Sequence, residues 1–90
     1  MQIGVKKSEI HQLCIKLLSG ITIIVDVVEN DKIRDIKNKI YHKEGINIVH
    51  QRLIHAGKQM KNEEQLSRYN VKDSSTLHMI LGLDGGIDDP

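Results

Sequence analysis

The sequence predicts an α+β fold in which one helix packs across one face of a mixed sheet, and three observations carry that prediction. Apolar and polar residues alternate through residues 12–18 and again through 21–28. Ile33, Ile36 and Ile40 then recur at helical spacing, and two further short apolar runs follow at 51–55 and 77–81. A period of two belongs to a strand with one buried side, and a period near 3.6 to a helix with one buried stripe. Strand, strand, helix, strand, strand is an order that a mixed sheet with a helix across it satisfies.

In the first strand Leu13, Ile15 and Leu17 share one face, with Gln12, Cys14, Lys16 and Leu18 on the other. Ser19-Gly20 makes a tight turn, and the second strand places Ile23, Val25 and Val27 on the core side, so the two form a hairpin. Asn30-Asp31 supplies an N-cap oxygen to a helix of about three turns, which Gly45 ends as a C-cap. After the strand at 51–55, the polar segment 61–65 leads to a helical turn at 66–69 and then to the last strand. There Leu77, Met79 and Leu81 are expected to face the helix, with His78 and Ile80 outward. The same parity puts Leu53 inward and Ile54 outward, and Leu18 stands outside at the hairpin turn. Outward aliphatic residues are ordinary when scattered and mark a binding surface when contiguous.

Composition narrows the function. Ninety residues make one small domain without the core to enclose a deep active site, so no catalytic residue is expected. With 13 Lys and Arg against 12 Asp and Glu, there is no strong field to hold nucleic acid or an anionic membrane. No apolar run approaches the ~20 residues of a membrane span, and residues 1–8 lack a signal-peptide hydrophobic region. The single cysteine, Cys14, cannot form an internal disulfide, which fits a cytoplasmic and nuclear protein. No His or Asp is placed by motif to activate it, so it reads as an inert thiol. The five histidines lack ligand spacing, and Gly57-Lys58 lacks the upstream glycine of a phosphate loop; neither a metal nor any other cofactor is expected. With neither Phe nor Trp in the chain, Ile, Leu and Val must fill the core.

Several blocks carry a family signature. Lys43-Glu44-Gly45-Ile46, Gln51-Arg52-Leu53-Ile54-His55-Ala56-Gly57-Lys58-Gln59, Leu66-Ser67-Arg68-Tyr69-Asn70 and Ser75-Thr76-Leu77-His78 closely resemble the ubiquitin family, in register and without a gap from about Gln12 to Gly86. The resemblance implies the β-grasp fold and a protein that is itself no enzyme. In that family receptors dock on an aliphatic and histidine patch, whose matching positions here are Leu18, Ile54, His78 and Ile80. A second apolar surface, used by ligases and proteases, matches Ile46, Leu81 and Leu83, and Arg52 matches a contact of the activating enzyme. Lys16, Lys37, Lys39, Lys43 and Lys58 match lysines that accept further copies in chains, Lys58 being the best candidate, whereas Ile21 and Asp73 replace two others. Gly85-Gly86 corresponds to the conjugated terminus, here followed by Ile87-Asp88-Asp89-Pro90.

Further departures lie in the tail. The family has an arginine where Gly82 stands and another where Asp84 stands; glycine cannot replace a guanidinium that pairs with carboxylates, and aspartate inverts the charge. At the other end, Met1-Gln2-Ile3-Gly4-Val5-Lys6 repeats the pattern of Gln12 to Lys16 ten residues earlier. The second copy runs straight into the Ser19-Gly20 turn and is taken as the first strand. Residues 1–10 are then a loosely ordered leader, 11–83 the folded domain, and 84–90 a flexible tail. An added edge strand or a swap between the two copies is the alternative for the leader.

Two functions follow from the resemblance. One is a protein tag, trimmed to Gly86 and joined to a target lysine, with processing, activating and conjugating enzymes as partners and ubiquitin receptors reading its patch. The other is a monomeric domain that is never conjugated and docks to ubiquitin receptors or the proteasome. Gly85-Gly86, Leu81 and Leu83 favour the first and Gly82 and Asp84 the second; the first is preferred.

Overall fold

The computed structural model describes residues 10–82. The strands are β1 (Gln12–Leu17), β2 (Thr22–Asp26), β3 (Gln51–His55), β4 (Lys58–Gln59) and β5 (Thr76–Leu81), with one α-helix, α1 (Ile33–Glu44), and 3-10 turns at Ile48–His50 and Leu66–Tyr69. They form one sheet in the order β2-β1-β5-β3-β4, with β1 parallel to β5 and the other neighbours antiparallel. The predicted mixed sheet with one helix across it is thus present, as the β-grasp. Sequence alternation did not reveal β4, because two residues are too few to show a period; it forms where a two-residue turn at Ala56-Gly57, both at positive φ, folds Lys58 back beside His55.

The core is aliphatic. Leu13, Ile15, Ile23, Val25 and Val27 from the hairpin meet Ile33, Ile36 and Ile40 of α1, with Leu53, Leu77 and Met79 from the other strands. Ile10, which falls in the leader by sequence, is 5% exposed and belongs to this core, so packing begins before the first strand. Residues 1–9, including the Ile3 and Val5 repeat, lie outside the described residues. Leu81 has core-side parity yet is 48% exposed; β1 pairs with β5 only as far as Leu17 opposite Met79, so Leu81 has a ladder partner on the β3 side alone.

The helix start differs from the sequence expectation. Neither Asn30 nor Asp31 caps it. Asp31 Oδ2 instead accepts from Val28 N–H (3.0 Å), and the first free amides of α1 go to a distant loop, Ile33 N to Glu64 O (3.0 Å) and Arg34 N to Asn62 O (3.1 Å). Asp35 Oδ2 reaches back to Lys32 N–H at 2.9 Å. These bonds satisfy donors that the helix itself leaves open. The C-terminus agrees with expectation: Gly45 is left-handed (φ 77°) and its N–H donates to Tyr41 O at 2.7 Å.

The start of β1 is fastened by a residue far along the chain. Asp73 Oδ1 accepts from the backbone N–H groups of both His11 (2.8 Å) and Gln12 (3.0 Å). Those amides, aided to a lesser degree by the His11 charge, hold the Asp73 carboxyl below the usual carboxylate range. A carboxyl depressed by folding stabilises above its unfolded pKa, and the contribution is lost as pH falls through the folded value. Asp73→Asn is therefore expected to lower the urea midpoint at pH ~7, and the gap from the parent should close as pH drops below about 4. A gap that persists unchanged in acid would show that the charge is not responsible.

Candidate functional site

The outward face of the sheet gathers the predicted patch. Thr22, Lys16, His78, Ile54 and Gln59 are successive cross-strand partners, forming one row over all five strands. Ile80 follows His78 on β5 opposite Arg52, and Leu18 lies just beyond Lys16. Neighbouring strands are about 4.8 Å apart and same-face neighbours along a strand about 7 Å apart, so Ile54, His78 and Ile80 adjoin one another, with Leu18 in the loop that follows β1. Parity alone gave their direction; the register gives their contiguity.

Local structure explains why they are outside. Leu17 N donates to Ile21 O (2.9 Å) and Gly20 N to Leu17 O (2.9 Å), closing a three-residue hairpin loop in which Gly20 takes φ 99°. That loop lifts Leu18 to 85% exposure. Ile80 is 37% exposed, His78 is exposed and Ile54 is half-buried, while their chain neighbours Leu77, Met79 and Leu53 are fully inside. The apolar centre is rimmed by cations, Lys16 beside His78 and Arg52 beside Ile80.

The second apolar surface is present in part. Ile46 is half-buried against the core. Gln51, opposite Leu81 in the ladder, donates through Nε2 to both Ile46 O and Lys37 O at 3.0 Å, so one buried amide ties these pieces together. Leu83, together with Asp84, Gly85, Gly86 and Ile87 to Pro90, lies outside the described residues.

The five matched lysines separate into two groups. Lys37 is only 5% exposed and its Nζ donates to Asn62 Oδ1 at 2.7 Å, an arrangement that does not present an amine to a partner. Lys39 donates to Asp26 O (2.8 Å) and to Asp31 Oδ2 (3.0 Å). Lys39 is nonetheless exposed, and Lys16, Lys43 and Lys58 are exposed as well. Sequence matching could not make this distinction, because Asn62 and Asp31 meet these side chains only in the fold.

Among the described residues no cluster of His, Cys, Asp and Glu is arranged to hold a metal, and no helix is long and apolar enough to cross a membrane. Cys14 is partly exposed on the sheet face beside Ile24 and Thr76. Two residues with defined roles escaped the sequence reading. One is Asp73, and the other is His50, whose ring meets Gly82 across 32 residues of chain; neither contact leaves a local pattern.

The comparisons agree with this architecture. The model of the Ubiquitin family matches residues 13–84. Ubiquitin-like protein 1 of Schizosaccharomyces pombe is 43% identical over 72 residues, covering 80% of this chain and 92% of that protein. The ubiquitin-like protein NEDD8 of Dictyostelium discoideum is 42% identical over 73 residues, 81% of this chain and 95% of its own. NEDD8-like protein RUB3 of Arabidopsis thaliana is 37% identical over 75 residues, 83% and 96% of the two chains. With the β-grasp sheet, the patch in register and the family match over most of its length, this chain belongs to the ubiquitin family, a family of protein modifiers and not of enzymes.

Proposed function

We propose that this protein is a ubiquitin-like modifier, trimmed after Gly86, charged as an adenylate and then a thioester by enzymes that supply their own cysteines and nucleotide site, and joined through Gly86 to a target lysine. The observation that carries the reading is the match over 92–96% of the length of ubiquitin-like and NEDD8-like proteins, and receptor recognition is assigned to the Leu18, Ile54, His78 and Ile80 surface, aliphatic with Lys16 and Arg52 beside it. Such a surface suits a receptor with an apolar contact flanked by carboxylates, and a small apolar area gives the modest affinity of a reversible signal. Ile46, Leu81 and Leu83 serve the processing and transfer enzymes, and Arg52 the activating enzyme. Of the lysines, Lys58, Lys16 and Lys43 are the acceptors if chains are built. A single thiol, Cys14, supports a cytoplasmic and nuclear setting within this reading.

A second reading is favoured by Gly82 and Asp84, which stand where the family has arginines: an unprocessed domain that docks to ubiquitin receptors or the proteasome through the same surface. Incubation of the full chain with cell extract, beside a thioester assay on a chain ending at Gly86, separates the two. The modifier gives loss of Ile87 to Pro90 and a thioester on the trimmed form. Retention of those residues with no thioester would leave the docking domain. Rescue of a failed thioester by Gly82→Arg with Asp84→Arg would locate the defect in the tail's charge.

A further inference from the structure

Gly82, the last residue described, is held at both of its backbone polar groups by one residue. Its N–H donates to the main-chain oxygen of His50 at 2.8 Å, and its own carbonyl oxygen lies 2.7 Å from Nδ1 of the His50 ring. The β5–β3 ladder reaches Leu81 opposite Gln51, and His50 stands just before β3, so the imidazole carries the pairing one step beyond its end. His50 is itself fixed. Its N–H donates to Asn47 O at 2.9 Å, and Asn47 Oδ1 caps the same turn through Val49 N–H at 3.1 Å. On Gly82, a Cβ would stand 3.4 Å from Arg52 Nε, so the residue without a side chain sits closely beside the guanidinium.

We propose that His50 is a positioning residue for the C-terminal tail: by holding both backbone groups of Gly82 it fixes the direction in which the chain leaves the sheet. Glycine has the widest backbone freedom of any residue, so an unheld Gly82 would let the following chain diverge from that point. With the clamp, that freedom at Gly82 is removed. Any partner that takes residues 83–86 in an extended form then meets a chain with a fixed origin and a smaller ordering cost. This use of the clamp rests on the modifier reading; the clamp itself is independent of it and is tested without an enzyme.

A carbonyl oxygen only accepts, so the ring must carry its hydrogen on Nδ1. An unconstrained neutral imidazole prefers the hydrogen on Nε2, and the two forms differ in their ring nitrogen shifts. Long-range proton–nitrogen spectra of the 15N-labelled full chain at alkaline pH are expected to show the Nδ1–H form at His50 and the Nε2–H form at the exposed His78. In His50→Ala, exchange of the Gly82 amide should quicken about tenfold. The Met60 amide, bonded to Leu53 O at 2.8 Å, should keep its protection. An Nε2–H tautomer at His50 in the parent chain would overturn the proposal, as would an unchanged Gly82 rate in His50→Ala with Met60 still protected. Should that variant lose Met60 protection, the tautomer in the unsubstituted chain decides. A chain that shows the clamp yet is never conjugated supports this inference and defeats only the modifier reading.

Discussion

Ile54→Ala is expected to weaken binding to a ubiquitin receptor domain about tenfold or more while leaving the domain folded. Ile54 sits in the outward row between His78 on β5 and Gln59 on β4, with its face toward solvent and its neighbour Leu53 in the core. Truncation removes apolar area that a partner would desolvate completely, which is the setting in which single residues carry 2 kcal/mol or so of binding free energy. Because the side chain is half-buried in the free protein, part of its contact is lost to the fold as well, at a cost of about 1 kcal/mol or less. Ile24→Ala is the control. Ile24 is an outward aliphatic residue of β2, opposite Cys14 and outside the four-residue surface, so its removal should leave affinity unchanged. Titration calorimetry with urea melts of both variants checks the pair. Equal losses from the two, or none from Ile54→Ala, would detach receptor binding from this surface.

The parts of this molecule that were legible in the sequence are those with a local period. Leu13 and Ile15, Ile23 and Val25, and Ile33, Ile36 and Ile40 announce buried faces within a few residues of one another, and all of them are buried. The outward direction of Ile54, His78 and Ile80 follows from the same parity. Their adjacency does not, because the parallel pairing of β1 with β5 joins segments some sixty residues apart. The misread features share that character. The expected cap at Asn30-Asp31 lost to Glu64 and Asn62, Lys37 found Asn62 25 residues away, and Asp73 reached His11 across 62. In each case a polar group took the partner that the fold brought to it in place of one that its own neighbours offered. The family resemblance supplied the patch, but it could not say that Lys37 is enclosed or that a ring at position 50 would hold Gly82.

Leu77→Ala should lower the unfolding free energy by about 3 kcal/mol, a large share of the ~5–15 kcal/mol that a natural domain has. Leu77 is wholly buried in β5, registered against Ile15 of β1, in a core without a Phe or Trp ring. Filling such a core depends on many branched aliphatic side chains each fitting its neighbours, so deleting one leaves a void that stiff Ile and Val lining cannot close. Met60 and Met79 are the adaptable members, and their movement sets how far the loss falls below the upper end of the usual 2–5 kcal/mol. Leu77→Met, nearly equal in volume, should cost less than about 1.5 kcal/mol, and Leu18→Ala, at an exposed loop, less than about 0.5 kcal/mol. Urea melts of the three variants at constant slope test the order. The binding surface offers a second reading of the same experiment. His78 and Ile80 alternate with Leu77 and Met79 on one strand, so the surface exists only where the core holds that strand in register. The apparent dissociation constant scales inversely with the folded fraction. While Leu77→Ala retains roughly 2 kcal/mol, more than nine molecules in ten stay folded and receptor affinity should barely move. In urea approaching its lowered midpoint, binding and fold should fail together. A large affinity loss in Leu77→Ala without urea would mean that the substitution reshapes the outward face itself.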